Sequence, residues 1–144
     1  MTAAPSYRIE VSRDIATCRA LRREVFIEEQ GVSEADEVDG LDDSAIHLLA
    51  FDGQGPVGTA RLLVKGKVGK IGRVCVRASA RGTGLGAALI RAALDELRRQ
   101  PGVAEAMLGS QSHATGFYEK LGFVVEGEEF HDAGIPHRDM RRAI

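Results

Sequence analysis

The sequence predicts an α+β fold: a mixed, largely antiparallel sheet with a central strand–helix–strand unit and flanking helices. Three observations predict it. The stretch 72-GRVCVRASARGTGLGAALIRAALDELRRQ-100 runs from an apolar strand through alternating glycines into a long amphipathic helix, and Val103–Leu108 supplies a strand after it. Two strands joined by a crossover helix lie parallel. The segments on either side are short alternating runs separated by glycine turns, the pattern of antiparallel hairpins. Finally, 144 residues without repeat, low-complexity tract or linker read as one domain, residues 1–144. A domain of ~150 residues buries about 68–70% of its unfolded surface, enough for a real core.

Each element has its own signal. Tyr7-Arg8-Ile9-Glu10-Val11 alternates as a strand. Ser12 or Asp14 caps a helix whose apolar face is Ile15, Cys18, Leu21, Val25 and Phe26, and Gly31 stops it. After the acidic stretch 33-SEADEVDGLDDS-44, Ile46–Phe51 reads as a strand, Asp52-Gly53-Gln54-Gly55 as a hairpin turn, and Val57–Val64 as the returning strand. Gly66-Lys67 turns into a third strand, Val68–Val76. In the long helix Leu85, Leu89, Ala93 and Leu97 form one stripe, with Ala88 and Ala92 beside it, and Pro101-Gly102 ends it. Ala114–Leu121 is a short helix stopped by Gly122; Phe123-Val124-Val125 opens a last strand, with Ile135–Met140 returning beside it.

Composition narrows the function. A formal net charge of −2 argues against a strongly basic, nucleic-acid-binding surface. Two cysteines, Cys18 and Cys75, are too few for a disulfide framework or a zinc site and read as small buried hydrophobes. The acidic stretch lacks the D-x-D-x-D-G order of a calcium loop, so no metal is expected. No segment approaches the ~18 apolar residues of a membrane span, and MTAAPSYRIEV has no charged-then-apolar signal pattern. The expectation is a cytoplasmic protein with neither membrane nor nucleic-acid partner.

The glycines carry the chemistry. Glycine in a helix costs roughly 0.8–1 kcal/mol relative to alanine, yet Gly82, Gly84 and Gly86 crowd the mouth of this one. A glycine-rich turn opening a helix presents unpaired backbone N–H groups and the positive end of the helix dipole, an anion site suited to phosphate. Arg81 adds a charged donor. The plainer reading is a tight turn that uses glycine only for its backbone freedom. Gly82-Thr83-Gly84-Leu85-Gly86-Ala87 also satisfies G-x-G-x-x-A, but the dinucleotide reading lacks its acidic residue after the next strand and the chain needed for the rest of that fold. Gly53 to Gly58 has Walker A spacing, but Thr59 follows where lysine is required.

Read instead as Arg81-x-x-Gly84-x-Gly86, the loop resembles the Q/R-x-x-G-x-G/A signature of the GCN5-related N-acetyltransferases (GNAT). Gly72-Arg73-Val74-Cys75-Val76 looks like that family's strand ahead of the loop. Ala114-x-x-Phe117-Tyr118-x-x-Leu121-Gly122-Phe123 is similar to its A-x-x-F-Y-x-x-x-G-F segment. Val25-Phe26-x-x-Glu29-Gln30, the carboxylates around Asp36 to Asp39, His47 and Gly134-Ile135-Pro136-His137 resemble the ElaA-like branch. The likeness spans about Tyr7 to Arg142.

The resemblance implies a GNAT fold and an enzyme that moves an acetyl group from acetyl-CoA directly to a primary amine of a small molecule or peptide. It implies that backbone N–H groups from Arg81 through Gly82, Thr83, Gly84, Leu85 and Gly86 to Ala87 hold the pyrophosphate. It further implies that Val74, Cys75 and Val76 pair with the pantetheine arm as an added strand would. Phe117 and Phe123 read as core aromatics, although the resemblance also sets Phe117 and Tyr118 beside the cofactor. Tyr118 is the candidate general acid, set against a plainer reading as a hydrogen-bonded core tyrosine.

An amine of lysine-like pKa, about 10.4, enters mostly protonated, so a base is useful. Glu29 and His113 are the first candidates, with Glu37, Asp39 and His137 behind them. The acidic segment Glu34 to Asp43 reads either as a receiver of a cationic acceptor or as a solvated loop. A homodimer is compatible with the sequence. The competing function is a non-catalytic acetyl-CoA-binding or sensing domain.

Overall fold

The computed structural model describes residues 6–144; residues 1–5 of the N-terminal stretch read above lie outside them. Strands β1 (Arg8–Ser12), β2 (Ile46–Asp52), β3 (Gly55–Lys65), β4 (Val68–Val76), β5 (Glu105–Gln111), β6 (Val124–Asp132) and β7 (Ile135–Ala143) form one sheet in the order β1-β2-β3-β4-β5-β7-β6. Every neighbouring pair is antiparallel except β4 and β5. Those two are joined by the long helix, numbered α3 (Leu85–Arg99) in chain order. The predicted mixed sheet with a central β–α–β unit is the one observed.

The predicted stripe Leu85, Leu89, Ala93 and Leu97 is buried, and Ile90 and Leu94 widen it. The helix packs against β3 and β4, over Leu62 and Ile71. At ~1.5–3 kcal/mol for each large apolar side chain removed from water, this layer is the main stabilising contact. Gly69 lets it close: a Cβ there would lie 2.3 Å from Cδ2 of Leu97.

The opposite face is covered by α1 (Ile15–Arg22), through Cys18 and Leu21, with Val25 from the next turn packing on Leu49 and Cys75. Asp14 caps it, accepting from the Thr17 amide at 3.1 Å and the Thr17 hydroxyl at 2.6 Å. Beyond Arg22 the backbone widens into a π-helix, Arg23–Glu29, which ends at Gly31 with φ +73°. A short α2 (Glu34–Glu37) follows, capped by Ser33, and α4 (Thr115–Glu119) follows β5. The C-terminal hairpin is longer than the sequence indicates: β6 runs on to Asp132 through a register shift between Glu126 and Phe130.

The arrangement that makes a site is the parting of β4 and β5. They pair only from Val68↔Glu105 to Ile71↔Leu108. Arg73, with φ +50°, then bulges β4 so that an extra residue enters its ladder with β3. Strand β5 meanwhile stays paired with β7 as far as Gln111↔His137. The strands splay, and one edge of β4 is left free beyond Ile71.

Candidate active site

The free edge can be assigned atom by atom. The Arg77 amide donates to the Val57 carbonyl at 2.8 Å, so Arg77 faces β3. Alternation turns Cys75, opposite Thr59, to the same side. Val74 and Val76 therefore present their backbone groups to the gap. Cys75 does not: its main chain belongs to the β3 ladder, and its thiol is buried. Burial pushes that thiol up to about 12, so it is not a nucleophile at neutral pH.

At the end of β4 the chain turns through Ala78–Ala80 into the glycine loop. Gly82 and Gly84 have φ +74° and +87°, the left-handed region that an L side chain strains to enter. The Thr83 hydroxyl donates to the Ala80 carbonyl at 2.5 Å and accepts from the Tyr7 hydroxyl at 2.6 Å, so β1's approach braces the turn. The first helical bond of α3 is Ala88 N–H to Gly84 C=O, at 3.1 Å. No acceptor among the described residues meets the amides of Gly82 through Ala87, and the space beside Gly82 and Gly84 is open. This is an anion cradle.

Arg81 joins it differently from the expectation. Its amide donates to Ala78 C=O at 3.3 Å, and its Nε donates to Val76 C=O at 3.0 Å. Its Nη2 holds both oxygens of Glu29, with Oε2 at 2.6 Å. The guanidinium thus sits between the cradle and the strand edge, neutralised by Glu29.

Below the splay lies a cavity of about 280 Å³. Phe26, Gln30 and Val32 wall one side, and Gly72, Arg73 and Val74 of β4 a second. Gln111 and Tyr118 stand on a third, facing Phe130, His137 and Asp139 of the β6–β7 hairpin. Tyr118 packs edge-to-face on Phe117 and Phe123, with ring centroids 4.9 and 6.3 Å away. Its hydroxyl bonds no described residue, and burial raises its pKa, so it keeps its proton at neutral pH. Phe123 is core, at 2% exposure, but Phe117 is not. Phe117 is 42% exposed, and its Cζ would stand 3.5 Å from a Cβ on Gly86, which sets it over the cradle.

Neither first choice of base reaches this cavity. Glu29 lies outside the lining with its carboxylate committed to Arg81. His113 is the exposed residue of the 3-10 turn Ser112–Ala114 and also lies outside the lining, although Ala114 of that turn belongs to it. His137 is the histidine that lines it.

The acidic segment is largely consumed. Arg22, 1% exposed, donates Nε to Glu37 at 2.6 Å and binds both oxygens of Asp42 at 2.9 and 2.8 Å. Arg61 holds Asp39 at 2.8 and 2.7 Å, and Arg73 also reaches Asp39, at 3.3 Å. The Arg61 hydrogen bonds hold the Asp39 carboxyl at about 2, and those from Arg22 put Asp42 well below the usual carboxylate range. These carboxylates fasten the loop to the sheet; they do not await a cation. Asp36 remains exposed at the cavity. A larger hollow, about 510 Å³, lies between Glu105, Val124 and Arg141. Arg141 there is already paired with Glu105 and Glu126, and no predicted site residue lines it.

A free strand edge running from an amide cradle to a cavity is an arrangement that comparison with known proteins can name. The sequence profile of the acetyltransferase (GNAT) domain matches residues 14–144. The chain belongs to the GNAT acetyltransferase family. Among its relatives, YjcF of Bacillus subtilis, described as an uncharacterized N-acetyltransferase, is 38% identical over 85% of this chain and 87% of its own. An acyl-CoA N-acyltransferase from Pseudomonas aeruginosa superposes with a TM-score of 0.84 at 33% identity, covering 96% of this chain and 99% of that one. Escherichia coli ElaA superposes at 0.82 and 28% identity, with coverage of 96% and 99%. The chain is a GNAT-type acyltransferase, with the fold those structures share. Among its described residues, no helix is long and apolar enough to cross a membrane.

Proposed function

We propose that this GNAT acyltransferase moves an acetyl group from acetyl-CoA directly to a primary amine of a small molecule or peptide. One observation carries the reading: the splay of β4 and β5 joins an unsatisfied amide cradle to the cavity that Tyr118 lines. When bound, acetyl-CoA supplies the acetyl group as a thioester. The amides of Gly82 through Ala87 hold its pyrophosphate, and the α3 dipole favours the negative charge there. Val74 and Val76 offer the strand edge to the pantetheine arm, and Phe117 covers the cradle. Tyr118 holds the proton that the departing sulfur needs. Cys75 is buried with its thiol held protonated, which supports direct transfer over an acyl-cysteine route.

A thermal-shift series tests the donor. CoA at ~100 times its dissociation constant adds about 2.7 kcal/mol to stability by mass action. NAD and ATP, which lack matching features here, stabilise much less. NAD as the best stabiliser would reverse the assignment.

A further inference from the structure

We infer that His137 is the general base of the transfer, a step that rests on the acetyltransferase reading above. Strand β7 lies between β5 and β6, and His137 stands opposite Gln111 on one and Phe130 on the other. Its Nδ1 lies 2.7 Å from the carbonyl oxygen of Ile135, two residues back along its own strand. A carbonyl can only accept, so Nδ1 carries a hydrogen. In the neutral ring Nε2 therefore keeps its lone pair. The ring also stacks on Phe130, centroids 6.0 Å apart and 28° between planes, which restricts its rotation. A half-buried imidazole with a fixed tautomer and orientation thus lines the same cavity as Tyr118.

The other basic groups of that cavity are less suited. Glu37 is bound by Arg22, Arg73 is a cation, and Asp36, Asp132 and Lys70 are exposed. Asp139 lies two residues along β7 on the same face as His137, half-buried and without an ion-pair partner among the described residues. It is placed to favour the positive charge of an incoming ammonium.

The step balances. His137 Nε2 takes one proton from the ammonium. The neutral amine attacks the acetyl carbonyl, the C–N bond forms and the C–S bond breaks. The sulfur receives the Tyr118 proton, and the second proton leaving nitrogen restores the tyrosine. His137 releases its proton to solvent, so ammonium and thioester become amide, thiol and one proton.

The test is kcat against pH for the wild type and His137→Asn with the best amine found in a panel. Asparagine keeps a donor near the Nδ1 position for the Ile135 carbonyl but has no Nε2 lone pair. The expected result is a fall in kcat of about 10²–10⁴-fold. The acid limb of the wild-type profile should vanish, with partial rescue by added imidazole and unchanged acetyl-CoA affinity in calorimetry. His137→Gln repeats the measurement should the asparagine variant melt early. An active wild type whose variants keep its acid limb, at any rate, would overturn the base assignment while leaving the acetyltransferase reading intact. A wild type that acetylates no amine would overturn both.

Discussion

Replacing Arg22 by methionine should loosen the loop that carries Glu37 and Asp42 and lower the stability of the fold. Arg22 is 1% exposed and makes three hydrogen bonds, one to Glu37 and two to Asp42. Its loss strands the two carboxylates unequally. Asp42 keeps Arg19 at 2.9 Å and Arg61 at 3.3 Å. Glu37, 3% exposed, keeps only the Arg73 Nε at 3.6 Å. Breaking a buried ion pair from one side costs about 3–5 kcal/mol because the partner charge stays buried. At roughly 2–4 °C per kcal/mol for a chain near this size, Tm should fall by about 6–20 °C. The exposed Arg23–Glu34 pair, 3.4 Å apart, is the control, and Arg23→Met should cost less than about 1 kcal/mol. Urea unfolding followed by circular dichroism reads both. Because stranded charge is the cause, adding Glu37→Gln to Arg22→Met should recover part of the loss. A single Arg22→Met variant within about 1 kcal/mol of wild type would show that no buried charge is stranded.

Gly84→Asp should abolish CoA binding in calorimetry while the fold persists, because a carboxylate at the open mouth of α3 occupies and repels the phosphate's place; retained affinity would move the cradle elsewhere. Tyr118→Phe keeps the ring packed on Phe117 and Phe123 and removes only the hydroxyl. Its kcat should drop about 10²-fold with little change in donor KM; full kcat would remove Tyr118 from the mechanism. Asp39, at about 2, and Asp42 both have carboxyls depressed from 3.8 by arginine hydrogen bonds. The stability they contribute is present above 3.8 and lost as pH falls towards 2 and below. The urea midpoint should decline across that window, and a flat profile would contradict the ion network's role.

Much of this was legible in the sequence where a regular period coincides with burial. Leu85, Leu89, Ala93 and Leu97 announce α3 because a 3.6-residue stripe has one physical meaning, and all four are buried. The cradle was legible because Gly82 and Gly84 mark a backbone that other residues strain to adopt. Arg22 carries a signal of its own: it stands four residues after Cys18 and three before Val25, on the apolar face of α1. A charge there implies a buried partner.

Other features leave no local trace. The π-helix over Arg23–Glu29 shares its apolar spacing with an α-helix. Strand β6 is a sheet edge with an exposed, acidic course through Glu126 to Glu129, so it shows no apolar alternation. Phe117 looks like core by residue type, yet it meets the helix mouth rather than the interior. Arg81 and Glu29 are 52 residues apart, and pairing at that distance follows from the packing of the π-helix against the loop, not from any motif.

The most direct test of the whole account is free-thiol release from acetyl-CoA across a panel of small and peptide amines, with mass spectrometry of the acceptor. Acetyl-CoA should be consumed only when an amine is present, with one N-acetylated product formed per thiol released. Tight acetyl-CoA binding with no acetylated amine anywhere in the panel would contradict the catalytic claim and make this chain an acetyl-CoA-binding domain.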